Sequence, residues 1–109
     1  MNKIDYEARR KIYASAIAKN GAQLQAVVAL EELSEAQKEI CKFLRGNGDA
    51  EHLAEEIADA TIMLEQMRMV FGINESVCDW MDAKVQRLWA RVKGGGEDCT
   101  EDGAPNVAI

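Results

Sequence analysis

Glycine and asparagine interrupt this chain at three places: Asn20-Gly21, Gly46-Asn47-Gly48 and Gly72. Between these stops the apolar residues recur every three or four positions, which is the period of a helix face, and no stretch alternates as a strand would. The pattern predicts four helices, from about Ile4 to Lys19, Ala22 to Arg45, Ala50 to Phe71 and Asn74 to Lys93. Asp49 and Asn74 stand where an N-cap belongs. Ala, Glu, Leu, Met, Lys and Arg dominate, all good helix formers, and 48% of the residues are hydrophobic with a single proline. The expected fold is all-α, a four-helix bundle-like domain over residues 1–93. Helices this few expose several apolar stripes, so homo-oligomerisation is expected to complete the fold. Residues 94–109 are glycine-rich, acidic and without apolar periodicity, the composition of a disordered tail.

The formal charge of −6 argues against a nucleic-acid backbone or an anionic membrane as partner. No apolar run approaches the length that spans a bilayer, and no basic segment leads into an apolar one. Cys41, Cys78 and Cys99 are odd in number and widely spaced, which suggests free thiols and a cytoplasmic setting. With His52 as the sole histidine, the chain lacks the close Cys/His pairs of a zinc site.

Helical projection assigns the second helix a core stripe of Ala26, Ala29, Leu33, Ala36, Ile40 and Leu44. Glu32, Glu35 and Glu39 lie on a neighbouring strip that Leu24 and Val28 continue. The third helix repeats the plan, with Leu53, Ile57, Ala60, Leu64, Met67 and Phe71 as core. Beside them His52, Glu56 and Asp59 share a strip with Met63 and Val70. The first and fourth helices carry stripes of Ile4, Ala8, Ile12, Ala16 and Ile17, and of Val77, Met81, Val85, Leu88 and Val92. A single EExxE on a helix is ordinarily solvated charge. Two acidic strips bordering the core of facing helices are different: they place like charges around one small volume, which is costly unless a cation compensates them. Hard carboxylate oxygens suit Mg²⁺ or Mn²⁺. His52 and the methionines read as packing.

Glu31-Glu32-Leu33-Ser34-Glu35 followed by Glu56-Ile57-Ala58-Asp59 resembles the EExxE…ExxD pattern of MazG-like all-α nucleoside triphosphate pyrophosphohydrolases. The surrounding words "ALEELSEAQKEICKFLRG", "EEIADATIMLEQMRMVFGI" and "KVQRLWARV" are similar to short phage-type members. The resemblance covers roughly residues 20–93. It implies a Mg²⁺-dependent hydrolase that cleaves a nucleoside triphosphate between the α- and β-phosphates, leaving monophosphate and pyrophosphate. It implies Glu32, Glu35, Glu56 and Asp59 as metal ligands. Glu31 belongs to the motif but points partly away, and is expected to support the ligands. Glu35 is the preferred general base. Family members often form dimers or tetramers, which the resemblance extends to this chain.

Phosphates also call for cations. Trp80, Lys84, Arg87 and Arg91 step along one strip of the fourth helix, and Lys42 follows Glu35 and Glu39 down the second. The functional expectation puts Lys84 or Arg87 on phosphate oxygens, Trp80 near the base, and Lys42 close by. The competing expectation is a non-catalytic helical module whose acidic faces are solvated and whose apolar stripes bind a partner helix.

Overall fold

The structure is a computed structural model and describes residues 3–95; the expected tail lies, from residue 96 onward, outside the described residues. The fold is all-α. Its helices are α1 (Tyr6–Asn20), α2 (Ala22–Leu44), α3 (Ala50–Val70) and α4 (Asn74–Gly95), and no strand occurs among the described residues. Helix α1 starts two residues later than its apolar pattern suggests. The Asp5 side chain accepts the Ala8 N–H at 2.8 Å, so the cap falls at Asp5 and Ile4 stays outside. Asp49 caps α3 as expected, accepting the Glu51 N–H at 3.1 Å. Helix α4 runs through Gly94 and Gly95.

The chain divides into two compact units, Met1–Ile73 and a second that begins at Asn74. In the first, α2 and α3 form an antiparallel hairpin: Gln25 meets Gln66 near one end, and Glu39 meets His52 near the other. Helix α1 rests on both. Its Tyr13 is buried and donates its hydroxyl to Glu65 Oε1 at 3.2 Å.

The hairpin closes on only part of the stripes that the apolar pattern marks: Ala29, Ala36 and Ala60 are buried as expected, and the large aliphatic residues beside them are not. Its seam consists of Gln25, Ala29, Ala36 and Glu39 from α2, with Glu56, Ala60, Met63 and Gln66 from α3. Leu33, Ile40 and Leu44 are exposed, and so are Ile57, Leu64 and Phe71. Both helices are turned by roughly 60° from the expected orientation. Ala29, Ala36 and Ala60 bring the two backbones close, and the polar residues that share their faces come inside with them. The larger side chains are then left on the flanks. In the second unit the stripe expected as core on α4 is largely open: Met81, Val85 and Leu88 are each at least half exposed, while Val77 and Val92 are half-buried.

Candidate metal centre

The rotation of the hairpin decides where the carboxylates go. Gln25, Ala29, Glu32, Ala36 and Glu39 follow one another by four, three, four and three, so a helix that buries the alanines carries Glu32 into the seam. Across from it, Glu56 and Asp59 stand three apart on α3 and share one of its faces. Glu32, Glu56 and Asp59 each place a carboxylate oxygen within 4.8 Å of the other two. Glu56 is buried, and Glu32 and Asp59 are half-buried. Among the described residues neither Glu32 nor Asp59 has an ion-pair partner.

This crowding shows in the acidity of Glu32. Its carboxyl is held above the ordinary range, first because the seam strips it of water. The charges of Asp59, Glu56, Glu35 and Glu31 add to that. Three oxygen donors converging from two helices, with no neutralising side chain on two of them, fit a hard divalent cation such as Mg²⁺.

The other residues of the motif are placed differently. Glu35 is exposed one turn along α2, outside the trio, yet close enough for its charge to raise the Glu32 pKa. Glu31 is exposed as well and acts on Glu32 only through its charge.

Glu39 is the acidic residue whose depth the sequence pattern understates. Its side chain is 4% exposed, and its Oε1 lies 3.3 Å from both Lys42 Nζ and His52 Nε2. Lys42, the candidate phosphate contact, therefore directs its ammonium group at Glu39. His52, read as packing, is half exposed and sits among carboxylates. Its Nε2 is 3.9 Å from Glu56 and its Nδ1 is 3.8 Å from Glu55. His52, Glu55 and Glu56 make a second group with ligand atoms within 4.8 Å of one another. Glu56 belongs to both groups.

On α4, Lys84 Nζ and the Arg87 guanidinium carbon lie 5.7 and 5.9 Å from the centroid of the Trp80 ring. Both are within cation–π range. Trp80 is 56% exposed, and Lys84, Arg87 and Arg91 line a shallow depression together with Ala90. The strip expected from the sequence is present as a basic face built around one indole.

Compared with protein-family models, curated proteins and solved structures, the chain matches none.

Proposed function

We propose that this chain is a Mg²⁺-dependent nucleotide pyrophosphohydrolase that splits a (deoxy)nucleoside triphosphate into monophosphate and pyrophosphate. The observation that carries the reading is the convergence of Glu32, Glu56 and Asp59, whose oxygens lie within 4.8 Å of one another. These three residues would hold the ion, with Glu35 reaching it from the rim, and Mn²⁺ is the expected substitute. When bound, the ion neutralises phosphate charge and makes a water more acidic. Glu35 is exposed beside the cluster and accepts the proton of the attacking water. Glu31 adds negative charge behind Glu32. On α4, Lys84 and Arg87 beside Trp80 form a basic, aromatic face of the kind that binds phosphate oxygens and a base. Lys42 keeps the buried Glu39 compensated and has further N–H donors for an anion. The enzyme works in the cytoplasm as a homodimer or homotetramer.

The test is a panel of ribo- and deoxynucleoside triphosphates, incubated with Mg²⁺, with Mn²⁺ and with chelator, followed by measurement of pyrophosphate and monophosphate. Stoichiometric release of both products, dependent on the cation, is expected. Release of inorganic phosphate alone would point to a different bond being cut. Inertness across the panel would return the chain to a non-catalytic helical module.

A further inference from the structure

Away from the carboxylates, α1 and α3 enclose a groove of about 510 Å³. That volume falls in the range of small-molecule sites. Ile12, Ala16, Ala58 and Ile62 form its apolar walls, and Arg9, Tyr13, Glu65 and Gln66 supply polar groups. None of Glu32, Glu56 and Asp59 lines it. An apolar slot with a few convergent polar groups is the usual build of a ligand site.

Two of those polar groups are unmatched, and they are of opposite sense. Asn20 Nδ2 donates to Gln25 Oε1 at 3.1 Å, and Gln25 Nε2 donates to Gln66 Oε1 at 2.6 Å. This relay uses the carbonyl of Gln66 and leaves its amide nitrogen with no hydrogen-bond partner among the described residues. Gln66 is only 5% exposed, yet no sealed side-chain nitrogen or oxygen among the described residues lacks a partner. The free N–H₂ therefore keeps some exposure, and Gln66 is among the residues that line the groove. Glu65 mirrors it. Its Oε1 takes the Tyr13 hydroxyl at 3.2 Å and faces Arg9 at 3.9 Å, while Oε2 has no partner among the described residues. Burial, then the charge of Glu65, holds the Tyr13 phenol pKa above its ordinary value, so it remains the donor of that pair.

We infer that the α1–α3 groove is a binding site for a planar nitrogen heterocycle with adjacent hydrogen-bond acceptor and N–H donor, its acceptor on Gln66 Nε2 and its donor on Glu65 Oε2. The apolar walls take the ring faces. A purely hydrocarbon ligand would leave the Gln66 amide unpaired, which is costly for a group so nearly buried. This site does not depend on the reading proposed for the carboxylates, since it needs no metal and no phosphate.

The probe is uridine, whose ring offers a carbonyl beside an N–H, compared with 3-methyluridine, in which that N–H is blocked. Each is titrated into the full chain in metal-free buffer while the side-chain amide signals are followed by ¹H–¹⁵N NMR. Uridine should shift the Gln66 amide pair and bind at least about tenfold more tightly than 3-methyluridine, the scale of one unpaired buried acceptor. Ala58→Phe, at an exposed wall position, should fill the slot and remove uridine binding with helicity unchanged. Equal affinity for the two nucleosides, or no shift at Gln66, overturns the inference. So does an Ala58→Phe variant that is folded and still binds uridine, or one that alters only the association state, since the groove would then be a contact between copies.

Discussion

Glu56 is the residue on which the proposed centre turns, because it is buried and shared between the two ligand groups. Glu56→Gln keeps the shape and removes one charge, so repulsion with Glu32 and Asp59 falls without opening a cavity. The metal-free variant should melt at or above the wild-type temperature. Mg²⁺ should stabilise the wild type according to RT ln(1 + [L]/Kd), about 2.7 kcal/mol at a hundredfold excess over Kd. The variant should lose most of that gain together with its hydrolysis. Melts at matched ionic strength remove general screening, and a full Mg²⁺ shift in an active Glu56→Gln protein would discard the centre. Glu32 gives an independent reading through pH. Its carboxyl titrates above the ordinary value of 4.5, so in the window just above that value the folded protein holds a proton that the unfolded chain has released. Folding stability from this group therefore falls as pH rises through the window, the opposite of a salt-bridged carboxylate. In chelator, the melting temperature of the wild type should decline relative to Glu32→Gln between about pH 4.5 and the raised value. Parallel curves for the two proteins would mean that Glu32 is not crowded.

At the scale of elements, the connection between α2 and α3 sets the antiparallel register that brings Glu32 opposite Glu56 and Asp59. Gly48 is held against the end of α2: a Cβ added there would stand 2.7 Å from Phe43 Cα and 2.8 Å from Phe43 N. These are backbone atoms and cannot rotate away. Gly48→Ala should cost about 1–3 kcal/mol, the usual range for forcing atoms into filled space. Gly46 differs, with open space around it but φ at +81°. There Ala should cost about 1–2 kcal/mol, through left-handed strain alone. Chemical denaturation of both variants checks the pair, and an unchanged midpoint in Gly48→Ala would contradict the turn. The stops at Gly21, Gly46-Asn47-Gly48 and Gly72 are legible in the sequence because glycine and asparagine end helices for local reasons. The orientation of each helix is not local. The apolar pattern marks Ala29, Ala36 and Ala60 together with Leu33, Ile40, Ile57 and Leu64, whereas the contact forms through the alanines alone, where backbones approach closely. The trio of Glu32, Glu56 and Asp59 could be anticipated because it borders that stripe. Glu39, Gln25 and Gln66 could not, since a polar residue at a seam position is indistinguishable from a solvated one until its partner is known. One signal was present: Gln25 stands four residues before Ala29, in step with Glu32, Ala36 and Glu39.

For the whole molecule, the consequence of the rotated hairpin is a surplus of apolar surface. Leu33 and Ile40 on α2 are 38% and 45% exposed, and Ile57 and Leu64 on α3 are 46% and 47% exposed. Each pair is seven residues apart and so forms one ridge of its helix. Where exposed apolar residues join into a contiguous patch, they mark an interaction surface more often than plain solvent boundary. The expectation is that these ridges meet their counterparts in a second copy, giving a dimer or a larger assembly. Multi-angle light scattering fixes the mass without assuming a shape, and the wild type should exceed the monomer mass of 12.1 kDa at micromolar concentration. Placing Lys at both Ile57 and Leu64 sets two charges in the ridge, where burial against an apolar partner is strongly unfavourable. That double variant should shift toward monomer. Its helicity should persist, because both positions lie outside the α2–α3 seam. The same preparation also separates association from catalysis. Monomers that keep full hydrolysis would show that each chain carries a complete site, while loss of activity with the hairpin intact would show that the site draws on a neighbour. A wild-type monomer at these concentrations would instead leave the ridges as exposed surface, and the assembly part of the functional proposal would fall with it.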